Sequence, residues 1–177
     1  MIRSGLRFGL ALMAVTALAL FASQKIDSVL ASGAPSVSLN AEHTGPRQVE
    51  DTTQKAVARD YAAAWQAMAE ALEENRPDLL GPNFIGTAAD KLTTGIEEQR
   101  KTGLHQRIVD KGHSVDVVFY SPDGSAMELH DTAQLELQVM DGGKVVHSED
   151  ATVHYVALLT AAENSWKVRA IEAVPEF

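Results

Sequence analysis

The sequence predicts an α+β domain in which N-terminal helices pack on a four-stranded antiparallel sheet. Apolar residues recur at helical spacing between residues 51 and 102, and from residue 115 onward they alternate with polar residues. Short turn-forming sequences separate the alternating segments, so consecutive strands run antiparallel. Helices that precede such a meander cover one face of its sheet, which gives a two-layer domain.

The first helix begins near Asp51. Asp51 and Gln54 have the spacing of a capping box, and Asn75-Arg76-Pro77 ends the helix because the residue before a proline avoids helical backbone angles. One apolar stripe runs along the helix, formed by Val57, Tyr61, Trp65, Met68 and Leu72. A stripe of this kind is a packing surface, so Trp65 is predicted to be structural.

The second helix follows an apolar bridge. Thr87 and Asp90 repeat the capping-box spacing, and the apolar residues Ala88, Leu92 and Ile96 continue at helical intervals. Gly103 is the predicted terminating residue, because glycine adopts the left-handed conformation that ends many helices.

Four strands complete the predicted domain. The strand around Val115–Phe119 ends at the turn Ser121–Gly124, and the longest alternation, Glu128 to Val139, ends at Asp141-Gly142-Gly143. Val153–Leu159 and Trp166–Val174 form the last two strands, joined by a turn at Ala162–Ser165. One face of this sheet is predicted to cover the helices and the other to face water.

The N-terminus has the layout of an export signal. Arg3 and Arg7 precede the apolar run Phe8 to Ala22, which as a helix spans little more than about 20 Å and is short for a bilayer. A cleaved signal peptide and an uncleaved signal anchor both remain open, and both place the rest of the chain outside the cytoplasm. The predicted organisation is a signal peptide or anchor over 1–31, a flexible linker over 32–50 and one domain over 51–177.

Composition excludes several classes of function. The chain has 24 acidic and 15 basic residues, a net charge of −9, which disfavours binding to nucleic acid or to anionic lipid surfaces. Contact with a membrane is therefore expected only through the N-terminal segment, if it is uncleaved. The absence of cysteine excludes disulfides, thiol nucleophiles and thiolate metal sites. No phosphate-binding or dinucleotide-binding motif is present, and no cofactor is predicted.

This order of elements resembles the NTF2-like superfamily of cone-shaped α+β folds. The matching segments are YAAAWQAMAEAL in the first helix, DKLTTGIEEQRKTG in the second and SWKVRAIEAV in the last strand. An NTF2-like domain after a short apolar segment is also similar to the VirB8-type secretion components and the Mce-associated proteins, which are assembly parts without catalytic activity. The superfamily equally holds small-molecule enzymes of the SnoaL and scytalone dehydratase kind, so the resemblance alone does not decide function.

Strand register predicts one polar cluster inside the cone. If the β-hairpin turns at Gly142-Gly143, Asp131 lies opposite His154 on the next strand. If the preceding hairpin turns after Ser121, Val115 lies opposite Asp131, and His113, two residues before Val115, points to the same face. The resemblance implies acid–base work for a buried Asp–His pair, with Tyr61 close enough to assist. The alternatives are a metal site formed by both histidines and the aspartate, and a structural hydrogen-bonded pair.

The sequence therefore favours an exported, non-catalytic binding or assembly module. The alternative is a small-molecule lyase, isomerase or hydrolase that uses Asp131, His154 and Tyr61 as catalytic residues. No metal ion is predicted. A protein partner or a second copy is expected on the outer sheet face, which carries Glu128, His130, Thr132, Gln134, Glu136 and Gln138.

Overall fold

Two helices lie against one face of the sheet. The computed structural model describes residues 35–177, so the predicted signal segment 1–31 lies outside the described residues. Helix α1 spans Asp51–Glu73 and helix α2 spans Gly86–Thr102, with a 3-10 segment at Pro77–Asn83 between them. All five residues of the predicted α1 stripe are buried, as are Ala88, Leu92 and Ile96 of α2. Gly103 ends α2 at φ 76°, as predicted.

The polar residues at the two helix starts bind the sheet instead of capping the helices. The N-cap residues are Glu50 and Ile85, and neither makes a side-chain capping bond. Gln54 donates to the Leu39 carbonyl oxygen at 2.8 Å, and Thr87 donates to the Arg169 carbonyl oxygen at 3.0 Å. Both predicted capping boxes are therefore wrong, because each side chain satisfies a sheet carbonyl next to its helix.

The four predicted antiparallel strands are present and longer than predicted. They are β3 (Leu104–Tyr120), β4 (Ala126–Asp141), β5 (Lys144–Ala162) and β6 (Ser165–Val174). Two short strands, β1 (Val37–Asn40) and β2 (Gly45–Pro46), add to β3 in parallel and make the sheet mixed. The predicted linker over 32–50 is thus wrong for these residues, because Val37 and Leu39 pack on the core while their backbone extends the sheet.

Bulges set the register of the sheet. In β3, Lys111 and Val118 each lack a partner on β4, and in β5 Val146 lacks one. An extra residue shifts all pairs beyond it by one position and reverses which face the following side chains occupy. Pairing next to the β4–β5 turn follows the prediction, with Asp141 opposite Lys144, but beyond Val146 every pair is displaced by one.

A single hydrophobic core fills the space between helices and sheet. Its largest fully buried side chains include Trp65, Tyr61 and Ile96 from the helices and Met127 and Leu129 from β4. One compact unit spans Ala34–Phe177 and contains this core, which is what an independently folding domain requires. Among residues 35–177, no helix combines the length and apolar character needed to cross a membrane.

Candidate functional site

A buried carboxylate, Asp131, lies at the centre of a polar cluster inside the cone. The Tyr61 hydroxyl donates to Asp131 Oδ2 at 2.8 Å, and His113 Nδ1 lies 2.8 Å from the same oxygen. His113 Nε2 lies 2.6 Å from Asp110 Oδ2, so the imidazole bridges two aspartates. We call Tyr61, Asp110, His113 and Asp131 the polar cluster.

Three different elements bring the polar cluster together. Tyr61 comes from the buried stripe of α1, Asp131 from an inward position of β4, and His113 from β3 two residues before its Val115–Asp131 pair. Asp110 and His113 are three residues apart, a spacing that in a regular strand puts side chains on opposite faces. The extra residue Lys111 returns both to the inner face.

The bulge at Lys111 also orients Asp110. Gly112 has φ 132°, a backbone conformation that side chains rarely adopt, and its N–H donates to Asp110 Oδ1 at 2.8 Å. That bond fixes the carboxylate while its other oxygen receives His113. The bulge therefore positions Asp110 to form the second hydrogen bond to His113.

Aromatic rings enclose the polar cluster. The centroids of the Trp65 and His113 rings are 4.5 Å apart, and Tyr155 contacts Trp65 edge-to-face at 5.2 Å. Tyr61 approaches His113 edge-on at 6.2 Å. These rings cover the imidazole and separate it from solvent.

The electrostatics of the cluster favour a protonated His113. Burial by itself lowers the pKa of the imidazole, but hydrogen bonds to Asp110 and Asp131 and the charges of both carboxylates raise it to about 9. Burial, and then the Asp131 charge, raise the pKa of Tyr61 well above its usual range and that of Tyr155 to about 12. At neutral pH the cluster thus contains an imidazolium between two aspartates, with neutral phenols beside it.

The polar cluster is closed to solvent. Tyr61 and Asp131 are 0% exposed and His113 is 4% exposed, so only Asp110 reaches the edge of the core. Three side-chain atoms among residues 35–177 are buried without a hydrogen-bond partner, and two of them, Asp131 Oδ1 and Trp65 Nε1, lie here; the third is Gln138 Oε1. A surface pocket of about 340 Å³ lies elsewhere, between Asp60 on α1 and the β5–β6 turn.

His154 is not part of the cluster. The bulge at Val146 pairs Asp131 with Tyr155 and Thr132 with His154, so the predicted Asp131–His154 pair is wrong. His154 lies on the outer face of the sheet, where its Nδ1 lies 3.1 Å from the Thr132 hydroxyl and its ring meets Phe177. The alternative of a metal site formed by His113, Asp131 and His154 fails for the same reason, since the two histidines lie on opposite faces.

The remaining geometry of the prediction is confirmed, although sequence reasoning missed two residues. Val115 lies opposite Asp131, and His113 and Tyr61 both reach that carboxylate. Asp110 was missed, although a glycine inside a strand pattern, here Gly112, is a signal for a bulge. Tyr155 was missed because the same bulge at Val146 that removed His154 brought Tyr155 inward.

Comparison with known proteins identifies the fold. No protein-family model matches the chain, and no curated protein matches its sequence. The intermembrane space region of the chloroplast protein ARC6 is similar in structure, with a TM-score of 0.61 and 16% identity over 73% of this chain and 98% of that one. That likeness is one of fold alone.

Two looser structural likenesses are to bacterial proteins. An NTF2-like family protein from Streptomyces avermitilis has a TM-score of 0.48 and 11% identity, covering 70% of this chain and 99% of its own. ActVI-ORFA from Streptomyces coelicolor has a TM-score of 0.46 and 12% identity, covering 65% of this chain and 94% of its own. Both are likenesses of structure alone.

Proposed function

We propose that this chain is an NTF2-like domain that acts outside the cytoplasm as a non-catalytic binding or assembly module. The observation that carries the proposal is the closure of the polar cluster, the one place in the described cone where acid–base groups converge. Tyr61, His113 and Asp131 lie within the core, and Trp65 and Tyr155 pack beside them.

Acid–base catalysis needs a group within hydrogen-bond reach of the substrate. Both nitrogens of His113 are already bound to aspartates, and the exposed fraction of its side chain is 0%. A pKa of about 9 also keeps the imidazole protonated at neutral pH, so it is not available as a base. These features suit an internal brace that ties α1, β3 and β4 together.

A location outside the cytoplasm is supported by the N-terminal segment. Arg3 and Arg7 followed by the apolar run Phe8 to Ala22 have the pattern of an export signal or anchor. The matching region of ARC6 lies in an intermembrane space, so the fold is compatible with a compartment other than the cytoplasm.

One observation favours a second candidate, a small-molecule lyase, isomerase or hydrolase. Asp131 Oδ1 is buried and has no partner within residues 35–177, although buried carboxylate oxygens are normally bonded. In an enzyme that opens during its reaction cycle, this oxygen and the Tyr61 hydroxyl could act on a bound substrate. Such an enzyme would use His113 in the place that the sequence predicted for His154.

Removal of the Tyr61 hydroxyl separates the two candidates. Tyr61→Phe keeps the ring and deletes the donor to Asp131, which lowers the free energy of unfolding by about 1–3 kcal/mol. If the polar cluster is structural, the variant should be folded and less stable, and should still complement a deletion strain at a temperature where it remains folded. If the cluster is catalytic, the variant should be folded and should fail to complement.

Tyr155→Phe is the matched control. It deletes the hydroxyl of the tyrosine on β5 that lies opposite Asp131, but that hydroxyl does not bind the carboxylate. Asp131 Oδ2 contacts Tyr61 and His113, and Asp131 Oδ1 has no partner within residues 35–177. Both variants are checked for folding by circular dichroism and thermal melting. If Tyr61→Phe is folded and inactive while Tyr155→Phe is active, the non-catalytic proposal is overturned.

A further inference from the structure

One stretch of the sheet has an unpaired edge. Strand β5 pairs with β4 from Lys144 to Thr160, except at Val146, but β6 pairs with it only from His154 onward. Residues 144–153 therefore lack a neighbour on one side among the described strands. At about 3.3 Å per residue this edge is some 33 Å long.

The free edge is also exposed through its side chains. Every residue from 144 to 150 is exposed, including Val145 at 41% and Val146 at 51%. An exposed strand edge presents unpaired backbone N–H and carbonyl groups, which can pair with another strand. Two adjacent exposed valines add apolar surface at the same place.

From this edge we infer that the domain forms a homodimer in which residues 144–150 of two copies pair as antiparallel strands. The charges of the strand support this occupant. Lys144 lies at one end, and Glu149 and Asp150 lie further along. In an antiparallel pair related by a two-fold axis, Lys144 of each copy lies opposite the acidic residues of the other, whereas a parallel pair in register places like charges together.

The arrangement places the exposed valines inside the new ladder. When Lys144 faces Glu149 or Asp150 of the second copy, Val145 and Val146 fall between the two charged ends and are covered by the opposing strand. The resulting sheet is continuous through both copies.

The ion pairs within one copy indicate that Glu149, and not Asp150, is the acidic residue that pairs with Lys144 of the second copy. Lys111 forms an ion pair with Asp150 and lies 3.6 Å from Glu136. Within residues 35–177, the ion pair of Glu149 is with His147, at 3.7 Å, and Lys144 has none. Lys144 and Glu149 are therefore the pair expected to meet across the dimer.

The bulge at Val146 limits the strength of the dimer. Bulges at sheet edges twist the strand and weaken pairing with other chains. Two short strands also bury less than the roughly 1,200–2,000 Å² of stable interfaces. The dimer is thus expected to be weak and to depend on concentration. It is independent of the proposed function, since a catalytic domain could use the same edge.

Sedimentation equilibrium on residues 34–177, the unit that carries its own core, tests the inference. The wild-type protein is expected to dimerise with a dissociation constant below about 1 mM. Lys144→Glu places like charges across both symmetric contacts and should raise the dissociation constant about tenfold. The double variant Lys144→Glu/Glu149→Lys exchanges the charges and should restore dimerisation.

Lys55→Glu is the matched control, since it makes the same charge change at an exposed position on α1. It should leave the dissociation constant unchanged. A protein that stays monomeric at all concentrations, or a dimer that Lys144→Glu does not weaken, overturns the inference. The second result would place the interface elsewhere, for example on the outer sheet face, and neither result bears on whether the polar cluster is catalytic.

Discussion

The stability of this domain should fall as the pH rises from neutral to mildly alkaline, because of His113. The folded state holds the imidazole proton up to a pKa of about 9, whereas an unfolded histidine loses it near pH 6.5. Between these two values the folded state binds more protons than the unfolded state, so a rise in pH favours unfolding. The stabilisation is complete below about pH 6.5 and lost as the pH passes through about 9.

The size of the effect follows from the difference between the two pKa values. A difference of about 2.5 pH units corresponds to about 3 kcal/mol of unfolding free energy. Small domains are stable by about 5–15 kcal/mol, so the loss is a large fraction of the total. Tyr61 and Tyr155 keep their protons when folded, and their effect begins only above about pH 10, where unfolded tyrosine ionises.

Urea unfolding of residues 34–177 between about pH 6 and about pH 9.5 measures this dependence. His113→Gln should remove it, because glutamine does not titrate, and His154→Gln should leave it unchanged because His154 lies on the outer face. Unfolding free energy that stays level or rises across this range in the wild type would refute the assignment of a charged, buried His113. Should His113→Gln fail to fold, the wild-type curve alone decides.

Three further predictions concern packing, backbone and export. Trp65→Ala should lower the unfolding free energy by about 3–5 kcal/mol, because Trp65 is 2% exposed; an unchanged melting temperature would contradict its structural role. Gly103→Ala should cost about 1 kcal/mol in urea unfolding because φ is 76°, whereas Gly143→Ala, outside that region and with open space around it, should be nearly neutral. A reporter enzyme active only outside the cytoplasm, fused after Phe177, should be active with the full chain and inactive when residues 1–31 are removed.

The helices could be predicted from sequence because a packing stripe is a local pattern. Tyr61, Trp65 and Met68 specify which face of α1 is buried without reference to the rest of the chain. Capping was not predictable in the same way, since Gln54 and Thr87 bind carbonyl groups from distant strands. The strands β1 and β2 were missed because four residues or fewer show no reliable alternation.

The site was predicted in part because its register depends on bulges. Next to the first turn, Tyr120 pairs one position away from its predicted partner on β4. The extra residue Val118 then cancels this shift, so that Val115 pairs with Asp131 as predicted. In β5 no second bulge compensates for Val146 before Asp131, so Tyr155 takes the position predicted for His154. A single inserted residue thus exchanges inward and outward side chains along a whole strand.

The central claim is that the polar cluster is a sealed brace, and nitrogen NMR of the His113 ring tests it most directly. A sealed imidazolium should show both ring N–H protons at neutral pH, in slow exchange with water, and should titrate near 9. A ring that titrates at or below its ordinary pKa of about 6.5 and exchanges its protons rapidly with water would contradict the claim. It would show that the cone opens to solvent and would favour the enzyme.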